Sequence, residues 1–435
     1  MRSARVWWDA LAAVAAGLAA MVVVASFGLW AAGAANLPSG AFPRVVAATL
    51  VMAVGGSVEL YGDAGFIAQT DAAIDVVPLS VTLAGALATA VVFLMPLRHR
   101  AVAHGQEVLA RVVRTAVLWL LVLLALALVA RHNFRISLGE GLAEDIGEAL
   151  GASPEVGFRA GVPATMGFGL LWLLVVLALA FAFSRKAPLP SRLLHFQQSV
   201  RPSARAMLQV LLAYVVIGLV TGVIVAITHE HRAETIAVLL LGLPNLVWMA
   251  FGIGIGGAWE GRVAEGIGLP MPHVLDQVLR RPGRGDATLD LASLSEQDGR
   301  AWLLVAVAAV LLLAAGFVAA VRSPARTRPW QQAWHMGLAL ALTMLVIGLL
   351  TRISAHYGLT VIGVGDLGGG LGGEVMLRAN FLPLVGFGAL WGLVAGFLGS
   401  LLATRVRHPG EVGDSEREAR GGSGGEREAR GGSGG

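Results

Sequence analysis

Along most of this chain apolar positions do not alternate with polar ones; they run on unbroken. Stretches without Asp, Glu, Lys or Arg extend over Ala10–Pro43, Val76–Leu97, Ala160–Ser184, Ala206–Thr228, Thr235–Trp259, Ala301–Val321, Pro329–Thr351 and Ala379–Thr404, with a shorter one over Thr115–Ala130. Most exceed the ~20 residues that cross a bilayer. A bilayer core offers no water to backbone amides, and these Leu/Val/Ala-rich runs lack the two-residue period of an outer-membrane barrel. The pattern predicts an all-α, polytopic membrane protein.

The runs also repeat. Phe158-Arg159-Ala160-Gly161 and Gly167-Phe168-Gly169-Leu170-Leu171-Trp172 recur as Leu377-Arg378-Ala379-Asn380 and Gly386-Phe387-Gly388-Ala389-Leu390-Trp391, at a constant offset of 219. Val54-Gly55-Gly56-Ser57-Val58-Glu59 recurs as Ile255-Gly256-Gly257-Ala258-Trp259-Glu260, and Val129-Ala130-Arg131 as Leu350-Thr351-Arg352. Three regions follow: a first membrane repeat over 1–186, a second over 187–408, and a polar tail over 409–435. The tail ends in two identical decapeptides, Glu416 to Gly425 and Glu426 to Gly435, and has only Val412 and two alanines as apolar residues, too few to pack.

Each repeat reads as a long span, a Gly-rich apolar segment ending in Gly-Gly-x-x-Glu, a span ending in arginines, another span, and a last span carrying Gly-Phe-Gly. Whether the second segment crosses decides whether the repeats are parallel or inverted. If it turns back, sixteen basic residues gather on one side, against seven on the other once the long 257–300 loop and the tail are set aside. If it crosses in both repeats, the split falls to near twelve against eleven. The asymmetry expected of cytoplasmic loops therefore favours two parallel repeats, each of four spans plus one re-entrant or broken helix, with both termini cytoplasmic in the plasma membrane. Ten full spans is the alternative. Gly242-Leu243-Pro244-Asn245 is the expected break in the second repeat, since proline removes a helix hydrogen bond and clashes with the turn before it; a kinked spanning helix is the other reading.

Composition agrees: 56% of the 435 residues are apolar and 14% charged, against roughly 45–50% and about 25% in soluble domains. The absence of cysteine excludes disulfides and thiol chemistry. Lys186 is the only lysine, and the Ala, Gly, Leu, Val and Arg bias suggests a high-GC, actinobacterial source. The high pI reflects arginines at span ends, so no nucleic-acid partner is expected, and the lipid bilayer is the partner that composition implies. The first apolar run is longer than the ~7–15 residues of a signal-peptide core, which favours a retained signal anchor over cleavage.

The candidate functional residues are matched pairs. Glu59 and Glu260 follow Gly-Gly in each repeat, and carboxylates beside a membrane cavity suit proton or cation coupling. Arg159 and Arg378 precede the last spans and could anchor an anion or close a salt bridge; Glu–Arg pairing within each half would account for both sets structurally. Gly167, Gly169 and Trp172, with Gly386, Gly388 and Trp391, read as repeat-packing positions, because small residues let helices approach in lipid. Gly363 to Glu374 reads as an outer loop, and His229-Glu230-His231 lacks a third metal ligand. No metal, cofactor or catalytic constellation is expected, and no enzyme: His-Glu-x-x-His, phosphate-loop and Gly-x-Ser-x-Gly patterns are all missing.

Ala53-Val54-Gly55-Gly56-Ser57-Val58, Leu243-Pro244-Asn245-Leu246-Val247-Trp248 and Asp298-Gly299-Arg300-Ala301-Trp302-Leu303-Leu304 together resemble the streptophobe family of actinobacterial membrane proteins, over most of residues 6–408. The resemblance implies a multi-span protein and carries over no functional residues. Two functional readings stay open. One is a secondary transporter or channel-like protein with a site between the repeats. The other is a non-transporting envelope scaffold or partner subunit acting through its acidic outer loops, 131–163 and 257–300, on a membrane-protein partner of unknown identity.

Overall fold

The computed structural model describes residues 2–63, 68–97, 105–135, 155–183, 194–228, 232–263, 287–323, 328–361, 365–366 and 373–406. The decapeptide tail, His229 to His231 and most of Gly363 to Glu374 lie outside them.

The first half runs α1 (Arg2–Ala31), α2 (Ala41–Ala53), β1 (Val58–Asp63), β2 (Ala68–Val76), α3 (Leu79–Leu94), α4 (Gly105–Val129), β3 (Arg131–Arg135), β4 (Glu155–Ala160) and α5 (Val162–Phe183). The second half follows the same order: α6 (Leu194–Thr228), α7 (Arg232–Gly254), β5 (Trp259–Val263), β6 (Ala287–Leu289), α9 (Leu303–Arg322), α10 (Pro329–Leu350), β7 (Ile353–Val361), β9 (Gly373–Ala379) and α11 (Phe381–Val406). It adds α8 (Leu291–Gln297) before α9 and β8 (Gly365–Asp366) after β7.

Among the described residues, eight helices are long and apolar enough to cross a membrane. Their outer faces carry leucines with no protein neighbour to cover them, such as Leu121 at 60%, Leu338 at 60% and Leu382 at 86% exposure. Large apolar side chains so exposed require lipid as their solvent. The eight include α7 and omit α3; α3 has 16 residues but continues through a 3-10 turn at Met95–Leu97, which brings it to about 30 Å, a bilayer core.

The two second elements stay on one side. Arg44, near the start of α2, bonds His132 in β3, and its end reaches only Gly169, where a Cβ would lie 3.4 Å from Val54. Gly169 is two turns into α5. In the second half Leu239, Leu243 and Asn245 of α7 bond residues 77–80, where β2 gives way to α3, and Ile255 accepts from Trp391 of α11. Neither helix reaches the opposite ends of its neighbours.

The expected break at Pro244 takes a different form. The helix is continuous through Pro244, and Ser80 of the other half inserts beside the rung that proline removes: Leu243 N–H donates to Ser80 Oγ (3.2 Å), which donates to the Leu239 carbonyl (3.0 Å). A hydroxyl thus bridges the rung that proline strains.

Among the described residues the connecting segments hold what hydropathy does not show, a nine-stranded antiparallel sheet on the side from which α2 and α7 enter. Its path is β3-β4-β1-β2-β7-β9-β5-β6, with β8 paired to β7. The first four strands and the last four occupy matching places in their halves, so the second four-strand set repeats the order of the first. They join through β2 and β7, nine residues in register from Ala68↔Val361 to Val76↔Ile353.

Candidate functional site

The Gly-Gly-x-x-Glu motif is a helix stop followed by a strand start. Gly55 and Gly256 hold φ of 88° and 99°, a left-handed conformation that costs glycine nothing. Gly56 N–H returns to Val51 and Gly55 N–H to Met52, while Gly257 N–H returns to Gly252 and Gly256 N–H to Ile253, the paired bonds of a Schellman cap. The chain then enters β1 or β5 after one residue, and the glutamate falls at the strand's second position.

That position fixes its partner. Glu59 lies opposite Arg159 in the β1–β4 register, and Glu260 opposite Arg378 in the β5–β9 register. Arg159 Nε donates to Glu59 Oε2 at 2.9 Å; Arg378 approaches Glu260 at 3.8 Å, and Asn380 Nδ2 donates to its other oxygen at 3.4 Å. Arg131 is cross-strand to Arg159 on the far side. Side-chain exposures of 48% for Glu59 and 67% for Arg159 keep the first pair in water, where such a pair contributes about 0–1 kcal/mol. The four residues form two solvated clasps at the feet of the sheet, one in each half, and the structure does not bring them together. Coupling chemistry in a membrane cavity would need them desolvated, and they are not. Among the described residues no group of three or more His, Asp or Glu side chains could hold a metal.

The packing motifs divide. A Cβ on Gly169 would strike Leu123, and one on Gly388 would lie 2.7 Å from Met344, so these glycines do bring α4 to α5 and α10 to α11. Gly167 and Gly386, expected to pack likewise, have nothing within 4 Å of where a Cβ would stand. Two positions before the tight glycine, at about 100° per residue, is nearly the opposite face of the helix. The phenylalanine between each pair covers the left-handed glycine: Phe168 lies 3.3 Å from a Cβ at Gly55, and Phe387 the same distance from one at Gly256. Trp172 stacks on Trp119 at 5.1 Å, and Trp391 Nε1 donates to the Ile255 carbonyl at 3.1 Å.

A joint between the halves, which the sequence reading did not single out as such, is the more consequential arrangement. Asn245 Oδ1 accepts from Leu79 N–H at 3.0 Å, and its Nδ2 donates to the Val77 carbonyl at 2.8 Å. One side chain of the second half therefore caps the first turn of α3 in the first half, where backbone groups lack helical partners. With Ser80 in α7 and the β2–β7 ladder above, both halves are fastened at two levels. The signal was present: the offset of 201 extends without a gap from Ala41 to Glu59, pairing Pro43 with Pro244 and Arg44 with Asn245.

A groove of about 560 Å³ is apolar and lies within the first half, between α1, α2 and α4, lined by Leu18, Val22, Phe42, Val46, Leu50 and Leu126 among others. It touches none of the four charged candidates. Comparison of the chain with models of known protein families, with curated proteins and with solved structures returns no match.

Proposed function

We propose that this chain is a plasma-membrane scaffold, built by duplication from two parallel units over 1–186 and 187–408, that holds a rigid β-sheet on the outer face for another envelope component. The observation that carries this reading is the β2–β7 ladder, nine residues long, which makes one sheet of strands from both halves. A secondary transporter, the sharper of the two expectations, alternates access by rocking one repeat against the other. Rocking here would have to tear a sheet and withdraw Asn245 and Ser80 from buried backbone groups, each costing about 1–3 kcal/mol when left unpaired. The arginine distribution supports cytoplasmic termini, and the short motifs shared with the streptophobe family support membership in it. No catalytic role is part of the proposal.

Rigidity is measurable in this cysteine-free chain. Spin labels at Gln106→Cys and Arg328→Cys, exposed positions at the helix ends opposite the sheet in the first and second half, are expected to give one narrow distance in lipid nanodiscs, unchanged by pH or by sodium and potassium. Two interconverting distances would favour the transporter.

A further inference from the structure

The order of strands carries an inference about assembly. Within the chain, the last strand of the first four-strand set, β2, pairs with the first strand of the second set, β7. This is a head-to-tail contact: two different edges meet, and among the described residues each half keeps one edge unpaired. Among the described residues the edges left over are β3 and β6. They are the counterparts of the two strands that pair at the centre, since β3 follows α4 as β7 follows α10, and β6 follows β5 as β2 follows β1. A sheet that ends on the same two complementary edges that join its middle has the geometry of an unfinished series.

The helical layer agrees with the sheet. At the internal joint the second half presents α7, with Pro244 and Asn245, to the C-terminal end of α1 and the start of α3; Leu240 and Leu241 lie against Gly28. The matching surface of the first half is α2, with Pro43 and Arg44, and it borders the apolar groove between α1, α2 and α4 that no part of the described chain fills. The matching surface of the second half is the start of α9 with the adjoining part of α6, where Trp302, Leu303 and Val220 stand 61%, 62% and 55% exposed. Helices in corresponding places run the same way through the layer in both halves. A further unit added by the same contact would therefore sit in the same bilayer with the same side outward.

We propose that the partner of this surface is a second copy of the chain, whose β3 edge and α2 groove dock on the β6 edge and α9 face of the first, repeating the internal β2–β7 contact. Heterologous contacts of this kind close into rings or run on as filaments. The proposal rests on the scaffold reading only in treating the sheet as a docking surface; its test does not depend on whether the halves move.

Register makes the test specific. Inside the chain Ala73 faces His356. Glu59 faces Ala73 and Glu260 faces Thr288, so Thr288 corresponds to Ala73. Arg131 faces Arg159, and Ile353 faces Leu377, the residue before Arg378, so Arg135 corresponds to His356. A Thr288→Cys chain mixed with an Arg135→Cys chain in lipid nanodiscs or native membranes and oxidised is expected to give a heterotypic disulfide dimer, at several times the yield of either chain alone. The double variant Ala73→Cys/His356→Cys, cross-linked within one chain, calibrates the geometry. With that control positive, the absence of a heterotypic dimer, homotypic dimers only, or closure of Thr288→Cys onto Arg135→Cys within one doubly substituted chain would each overturn the proposal. Native mass spectrometry of the unsubstituted chain provides a second reading: a ring or ladder of two or more copies is expected, and a monomer at every lipid-to-protein ratio would overturn it.

Discussion

Gly316→Leu is expected to abolish recovery of folded protein from membranes, or to lower its thermal midpoint in detergent by well over 5 °C. Gly316 is the point where α9 meets α11 backbone to backbone: a Cβ there would overlap the Ala395 carbonyl, and one on Gly399 would overlap the Gly316 backbone. Lipid chains are as apolar as leucine, so the hydrophobic effect gives no attraction between these helices; close packing does. Overfilling a packed site costs about 1–3 kcal/mol where side chains can yield. Here main-chain atoms oppose the new group, and whole helices must separate. Other glycines of α11 make a second seam: a Cβ on Gly392 or Gly396 would lie 2.5 Å from the Met336 carbonyl or 2.9 Å from the Gln332 carbonyl of α10. The control is Gly386→Leu, in the same helix with open space around it, which should change stability by no more than about 0.5 kcal/mol. Thermal unfolding followed by size-exclusion chromatography of a fluorescent fusion compares the two variants directly. Equal effects would mean that the α9–α11 contact is not the one described.

The second large effect belongs to Asn245. Asn245→Leu keeps the branched shape of the side chain and removes both bonds that cap α3, leaving Leu79 N–H and the Val77 carbonyl without their partner at a part-buried joint. At about 1–3 kcal/mol for each of the two orphaned groups, the loss should be roughly 2–6 kcal/mol, discounted to about 2 if the unfolded chain in lipid finds other partners. Arg44 occupies the matching place in the first half and bonds His132 instead, so Arg44→Leu disturbs one half and not the joint. The two variants are separated by the distance between labels at Gln106→Cys and Arg328→Cys. Asn245→Leu should broaden it, and Arg44→Leu should leave it unchanged. No broadening would show that the β2–β7 ladder alone holds the halves together.

The spans were legible because an unbroken apolar run has few other physical uses, and the matched motifs were legible because they keep a constant offset. The Glu59–Arg159 and Glu260–Arg378 pairs were within reach for the same reason, as matched charges at matched distances from matched spans. The sheet was not read, although part of it was readable. From Ile353 to Val361 the chain alternates Ile, Ala, Tyr, Leu and Val with Ser, His, Gly and Thr, the period-two pattern of a half-buried strand. It lies between two spans, where polar residues and glycines read as loop. β1 and β2 are harder: Gly62, Asp63, Asp71 and Asp75 give no apolar face to follow, and these strands depend on their partners. Pro244 misled in the opposite way. Local chemistry pointed to a break, yet the helix runs on through the proline, with a serine some 160 residues away in sequence bridging the rung beside it. Gly167 and Gly386 misled because small-residue motifs give spacing along a helix but not which face of it meets a neighbour.

The central claim is that both halves set their strands on one face of the membrane as a single sheet. Single cysteines at Asn133 in β3 and Thr288 in β6, both exposed, test it most directly when intact cells are treated with a membrane-impermeant maleimide, with Gln106→Cys and Arg328→Cys as the opposite pair. The account predicts that Asn133→Cys and Thr288→Cys both react from outside, and that the other two react only after the membrane is opened. Labelling of Asn133→Cys and Thr288→Cys from opposite sides would contradict it, because the halves would then be inverted and no common sheet could form.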